Sequence, residues 1–204
     1  MKNEILRKFI VFEGLDGAGT STQSKLLSKE IKDSFLTFEP TDSKIGSLIR
    51  DCLKKKINFN TLTLAFLFSA DRADHLYKKE GIIDRCKNNQ IVISDRYLFS
   101  SLAYQSIDLS FEQILELNKF FPLPEILFFL NTSLNVCKDR VDSRGNEKEL
   151  YESYTIQKKV LDNYLRTLLF YKKSGLKIVE LDGDLTKDQL LDMEIKYLKD
   201  YKVI

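Results

Sequence analysis

Phe9-Ile10-Val11-Phe12-Glu13 is apolar and β-rich, and it runs without a break into Gly14-Leu15-Asp16-Gly17-Ala18-Gly19-Thr20-Ser21, beyond which a helical pattern begins. A buried strand, a glycine-rich turn and a helix in that order constrain the fold strongly, because the helix must pack back on the sheet that the strand belongs to. Four further runs repeat the strand signal: Phe35-Leu36-Thr37-Phe38, Ile91-Val92-Ile93-Ser94, Ile126-Leu127-Phe128-Phe129-Leu130 and Lys177-Ile178-Val179-Glu180-Leu181. Their hydrophobicity is for the most part continuous rather than alternating, which suits strands covered on both faces of a parallel sheet. Helical patterns lie between them. Ser24 to Asp33 places Leu26, Leu27 and Ile31 on one side, Thr61 to Tyr77 carries Leu64, Phe68 and Leu76, and Thr155 to Lys173 carries Val160, Tyr164 and Leu168. The alternation predicts an α/β fold of three layers, a five-stranded parallel sheet flanked by helices. With no repeat or linker in 204 residues, one domain is expected.

Composition removes several classes of function. Only 8 Gly and 3 Pro are present, so the chain is neither collagen-like nor a linker. The net charge of +2 comes from interleaved Lys and Asp/Glu, which gives no footprint of a nucleic-acid partner. No apolar run approaches the roughly 20 residues that span a bilayer, so no membrane association is expected. Cys52, Cys86 and Cys137 are far apart and odd in number, with no signal peptide before them, which points to buried free thiols in a reducing cytoplasm. His75, the single histidine, is read as a surface or pocket-rim residue rather than a metal ligand, and Lys54-Lys55-Lys56 as a solvated helix end.

The glycine-rich turn carries the chemistry. Glycines let successive backbone N–H groups curl around phosphate oxygens, and the helix N-terminus adds its dipole. The pattern approaches the Walker A loop, G-x-x-x-x-G-K-[ST]: Gly14 and Gly19 are in place and Ser21 sits where a Mg²⁺-binding hydroxyl belongs, but Thr20 stands where the lysine would be. Losing one preorganised electrostatic donor costs roughly 3–4 kcal/mol of transition-state stabilisation.

Taken together, the motifs resemble the thymidylate kinase family over nearly the whole chain. Phe12-Glu13-Gly14-Leu15-Asp16-Gly17-Ala18-Gly19 with Ser21-Thr22-Gln23 is similar to its loop and helix start. Phe38-Glu39-Pro40 resembles its segment after the second strand, Leu67-Phe68-Ser69-Ala70-Asp71-Arg72 its substrate helix, and Asp95-Arg96-Tyr97 with Ser100, Ser101, Ala103, Tyr104 and Gln105 its most specific signature. The resemblance implies a P-loop NTPase fold with a short mobile lid, about residues 141–153, and a homodimer. It also implies ATP and dTMP as substrates and Mg²⁺ as cofactor. By resemblance, Gly14, Leu15, Asp16, Gly17, Ala18, Gly19, Thr20, Ser21 and Thr22 hold the ATP phosphates. Arg140, Arg144 and Asp182 border the ATP site, and Ser21 and Asp95 hold the metal. Phe68 stacks on thymine, Arg72 reaches its carbonyl edge, and Ser100, Ser101, Gln105 and Tyr151 surround the base. Asp16 binds the sugar 3′-hydroxyl, Tyr104 disfavours a 2′-hydroxyl, and Arg96 clamps the acceptor phosphate through paired N–H bonds.

The pattern departs from the family where positive charge is expected. Gly17 occupies the position of a loop arginine and Leu150 that of a lid arginine, while Phe38 replaces another. With Thr20 this removes charge around one reaction centre, and Lys148 and Arg140 are the candidates to restore it. Two outcomes are left open: an active dTMP kinase, with Asp16, Asp95, Arg96 and Lys148 as its catalytic set, or a degraded kinase that binds nucleotides and transfers little phosphate. A deoxynucleoside kinase would need a carboxylate base, for which Glu13 and Glu39 are the acids in reach. A GTPase is disfavoured because Asn118-Lys119 is followed by Phe121 where an aspartate is required.

Overall fold

The computed structural model describes residues 4–143, 145 and 149–204. Five strands, β1 (Ile5–Gly14), β2 (Phe35–Phe38), β3 (Val92–Asp95), β4 (Leu123–Asn131) and β5 (Lys177–Asp182), form one sheet in the order β2-β3-β1-β4-β5. All neighbours are parallel. β1 pairs with β3 on one side, Phe12 opposite Asp95, and with β4 on the other, Gly14 opposite Leu130. The chain order reverses at β1, so the crevice beyond its carboxyl end is where an open α/β sheet accepts a ligand.

β1 begins four residues before the apolar run that announced it. The register slips between Leu6 and Ile10, and Lys8 adopts φ 66°. This turns the Lys8 N–H to Glu125 Oε2 at 2.7 Å and its ammonium to the Val203 carbonyl at 2.9 Å. Beyond the bulge every β1 residue from Phe9 to Gly14 is buried, and Phe9, Ile10, Val11 and Phe12 join Phe128, Phe129 and Leu127 of β4 in the core.

Helices cover the sheet. α1 (Thr20–Glu30) packs against α9 (Lys187–Asp200), and α5 (Leu98–Tyr104) against α8 (Tyr154–Tyr171). α2 (Lys44–Leu53), α3 (Thr61–Tyr77), α4 (Ile82–Lys87), α6 (Phe111–Asn118) and α7 (Leu134–Asp142) complete the set described. α3 starts where the sequence predicts because Asn60 caps the Thr63 N–H at 2.8 Å. α1 starts four residues earlier than its apolar pattern, since Thr20, Gln23 and Ser24 are polar yet buried. Its N-cap is Gly19 at φ 105°, no side chain caps it, and the Thr22 N–H turns back to the Gly19 carbonyl at 3.0 Å, which leaves the Thr20 and Ser21 amides for a ligand.

Candidate active site

Two cavities open at the carboxyl ends of β1 and β3. One, of about 420 Å³, is bounded by residues 16–23, Arg140, Gly183, Leu185 and Lys187. The other, of about 450 Å³, is bounded by Phe38, Arg50, Phe68, Arg72, Ser101, Tyr104, Gln105 and Tyr151 among others. Asp16, Ser21 and Arg96 line both, so the cavities meet at these three residues.

In the first cavity the loop from Gly14 to Gly19 is shaped by backbone geometry. Gly17 has φ 87°, and a Cβ there would lie 2.5 Å from the Cys137 carbonyl oxygen of α7. A loop arginine at this position has no room. Leu15 turns into the core instead of lining the cavity, and Gly14 presents its carbonyl to Arg96. Arg140 lays its guanidinium over the loop, with Nη1 at 3.3 Å from both the Gly17 and Ala18 carbonyls. Asp182 precedes the turn that borders the cavity through Gly183 and Leu185, and its carboxylate accepts from the Asp184 N–H at 3.1 Å. Arg144 and Lys148 lie outside the described residues.

Ser21 donates its hydroxyl to Asp95 Oδ2, while Asp95 Oδ1 is buried and meets no partner among the described residues. An orphaned carboxylate oxygen beside a hydroxyl, at the mouth of a phosphate loop, is the hard oxygen set that Mg²⁺ requires. No cluster of three or more His, Cys, Asp or Glu suited to a metal occurs among the described residues, so any ion here would lean on phosphate and water for its remaining ligands.

Arg96 sits just past β3 with φ 70°, its N–H tied to the Phe12 carbonyl at 2.9 Å. Its Nη1 donates to the Gly14 carbonyl at 3.0 Å, Ser100 Oγ at 3.1 Å and Tyr164 OH at 3.2 Å, and its Nη2 to Asp16 Oδ1 at 2.6 Å. The other Asp16 oxygen accepts from Gln157 Nε2 at 2.9 Å, which also reaches the Tyr151 carbonyl at 2.9 Å. Beneath Arg96 lies Glu13, fully buried, with burial pushing its carboxyl up to about 7 against the opposing pull of Arg96 and its hydrogen-bond donors. Burial also keeps the Tyr104 phenol well above its ordinary value, so that ring stays neutral beside Asp16.

The second cavity has an aromatic frame of Phe38, Phe68, Tyr104 and Tyr151, with Tyr104 and Tyr151 edge to face at 5.6 Å between centroids. Arg72 reaches its wall from a buried position. Its Nε and Nη2 donate to Glu39 Oε2 at 2.9 and 2.7 Å, its Nη1 to Asn118, and its Nη2 to Ser101 Oγ at 3.1 Å. The hydroxyls expected near a base are therefore engaged by the protein, Ser101 with Arg72 and Ser100 with Glu13 and Arg96. Gln105 differs: its Nε2 is buried without a partner among the described residues, as a donor waiting for a ligand would be.

His75 corrects the sequence reading. It is buried rather than on the surface, though it borders a cavity beside β2, and its ring bridges Thr37 Oγ1 at 2.6 Å and Glu39 Oε1 at 3.2 Å. Lys54, Lys55 and Lys56 are exposed where α2 ends, as a solvated helix end should be, and Lys54 also lines the second cavity with Lys25 and Arg50. Asp71, quoted only as part of a motif, accepts from the Thr41 N–H, Thr41 Oγ1 and Ser43 Oγ at 2.6–2.7 Å and pins the turn that carries Glu39. The three cysteines are free and buried, as expected.

Comparison with known proteins agrees with this geometry. The thymidylate kinase family model matches residues 12–189. A relative from Treponema pallidum that carries the thymidylate kinase name is 40% identical over 205 residues, covering 97% of this chain and 98% of its own. One from Methanococcus aeolicus is 37% identical over 203 residues, covering 98% and 100%. The solved thymidylate kinase of Candida albicans superposes with a TM-score of 0.79 at 27% identity, covering 97% of this chain and 93% of that one. A family match across both cavities, joined to a glycine loop, Asp95-Arg96 and an aromatic acceptor pocket, is what assigns this sequence: the chain belongs to the thymidylate kinase family.

Proposed function

We propose that the chain transfers the terminal phosphate of ATP to dTMP, giving dTDP and ADP, with the smaller cavity for the donor and the aromatic one for the acceptor. The observation that carries this reading is that both cavities end on Asp16, Ser21 and Arg96. Two nucleotides seated there would bring their phosphates together at one point, and phosphoryl transfer needs little beyond such alignment and charge stabilisation.

The open N–H groups of the loop and first turn of α1 hold the donor phosphates. Ser21 and Asp95 would hold Mg²⁺, which when bound neutralises phosphate charge and fixes phosphate orientation. Arg96, anchored through Nη1, keeps its Nε–H and second Nη2–H for the acceptor phosphate. That acceptor oxygen is already anionic, so no carboxylate base is required, and Glu39 is committed to Arg72 and His75. Asp16 receives the sugar hydroxyl, Tyr104 lies against the sugar, and Phe68, Arg72, Gln105 and Tyr151 enclose the base. Residues about 141–153 act as the lid that brings Tyr151 over the acceptor.

The working protein is a homodimer through α3 and resides in the cytoplasm. Leu62, Phe66 and Tyr77 are exposed along α3, with Phe120 beside them through the bond from Tyr77 OH to the Phe120 carbonyl, and such an apolar stripe suits a self-contact. Buried free thiols suit a reducing compartment. No helix among the described residues is long and apolar enough to cross a membrane.

The test is ADP production by purified protein with ATP and Mg²⁺ against dTMP, dUMP, dCMP, AMP and UMP. dTMP should give the highest kcat/KM. A better rate with AMP, or none with dTMP, would refute the assignment.

A further inference from the structure

Glu13 has two oxygens with separate surroundings. Oε1 accepts the Tyr97 N–H at 2.8 Å and the Ser100 N–H at 3.1 Å, and so holds the start of α5. Oε2 accepts the Ser100 hydroxyl at 2.6 Å and the Tyr164 hydroxyl at 2.7 Å. Those same two hydroxyl oxygens lie 3.1 and 3.2 Å from Arg96 Nη1. A guanidinium can only donate, and a hydroxyl has one proton. The hydroxyls also lie 2.9 Å from each other, and the two Nη1 protons of Arg96 serve the Gly14 carbonyl at 3.0 Å as well. For both hydroxyl oxygens to accept from Arg96, each proton must point away from it, and the Glu13 carboxylate, through Oε2 at the shorter 2.6 and 2.7 Å, is the acceptor that draws both in preference to their mutual contact.

We propose that Glu13 and Tyr164 are positioning residues for phosphate recognition: the carboxylate takes both hydroxyl protons, turns two oxygen lone pairs onto Arg96 Nη1, and thereby fixes the guanidinium edge that meets the acceptor phosphate. The proposal rests on the reading of Arg96 as the acceptor-phosphate clamp. It gives Tyr164, a core residue by its helical spacing, a polar duty at the foot of the site. It also explains why a carboxylate is kept fully buried under an arginine with which it makes no direct bond among those described. The pair attracts through charge, while the geometry is set through the two hydroxyls.

Glu13→Gln separates the two duties. The amide oxygen can still accept the two backbone N–H groups, but the NH₂ in place of Oε2 donates, forcing the hydroxyl protons towards Arg96. Tyr164→Phe removes one of the two hydroxyls and leaves the carboxylate alone. The experiment is calorimetric binding of dTMP, thymidine and ATP at pH 8, together with Tm, for wild type and both variants. Glu13→Gln should weaken dTMP binding about tenfold or more, and Tyr164→Phe by about threefold or more. Thymidine, which lacks the phosphate, and ATP should bind within about twofold of wild type. A residue that merely fills the core would lower dTMP and thymidine affinity together, and that result would overturn the proposal. So would an unchanged dTMP-to-thymidine ratio in Tyr164→Phe, which decides the matter if Glu13→Gln does not fold. A wild type that binds dTMP no better than thymidine would instead overturn the reading of Arg96 on which the proposal stands.

Discussion

Replacing Glu39 with alanine would leave the Arg72 guanidinium charged and almost without solvent. The pair is 1% and 4% exposed on the two sides, joined by Nε and Nη2 at 2.9 and 2.7 Å. Removing one partner of a buried ion pair costs about 3–5 kcal/mol, because the other charge stays behind uncompensated. Arg72 would keep Asn118 and Ser101, and the faces of Tyr97 and Phe121 at 5.3 and 5.7 Å, which places the loss near the lower bound, about 3 kcal/mol. For a chain of this length that corresponds to a fall in Tm of roughly 6–12 °C. The same helix supplies its own control. Asp74 pairs with Lys78 at 3.5 Å, but both are nearly half exposed, so Asp74→Ala should move Tm by less than about 2 °C. Differential scanning calorimetry on the two variants tests the contrast. Equal shifts, or a fall under about 3 °C for Glu39→Ala, would refute the claim that burial makes this pair matter. Replacing both partners, Glu39→Leu with Arg72→Met, should recover much of the Tm while dTMP affinity is lost.

Thr20→Lys should raise kcat by on the order of tenfold or more with little change in KM for ATP, since the loop amides already hold the ground-state phosphates. A gain below about threefold in steady-state assays would mean that another cation, with Arg140 the nearest described, already serves there. Glu194 is buried with both oxygens unpartnered among the described residues, and burial pushes its carboxyl up to about 9 from 4.5. The folded state therefore holds a proton that the unfolded chain releases above about pH 4.5, so this contribution to stability is complete below that value and is lost as pH rises towards 9. Glu194→Gln should show a Tm advantage over wild type that grows between pH 5 and pH 9, and a constant difference would refute the burial account.

What the sequence made legible follows from where apolar pattern and caps carry the signal. β2 and α3 begin and end at the predicted residues because β2 is a continuous apolar run and Asn60 caps α3. α1 began too late in the prediction because its buried residues include Thr20, Gln23 and Ser24, and polar groups buried for the sake of a ligand loop carry no apolar period. In the site, Asp16, Ser21, Asp95 and Arg96 were legible through motif order, and the structure brings them to one junction. Partnerships were not legible. Nothing in the spacing of Glu39, Arg72, His75 and Asn118 announces that four polar side chains, two from α3 and one each from the turn after β2 and from α6, close on one another inside the core. Nor does it announce that the Tyr164 hydroxyl donates to Glu13 Oε2 across 151 positions.

The close passage of Gly17 beneath α7 also bears on how this lineage can change. Either of two single substitutions would place a cation in the phosphate loop, and the structure treats them unequally. At Gly17 any side chain meets both a left-handed backbone and the Cys137 carbonyl at 2.5 Å, so an arginine there would have to wait for α7 to shift first. Position 20, though buried, begins a helix and lines the donor cavity, so a lysine there has right-handed backbone and open space beside it. The mutational path by which such a chain could gain loop charge therefore runs through Thr20, while the path through Gly17 is closed by the packing of its own backbone.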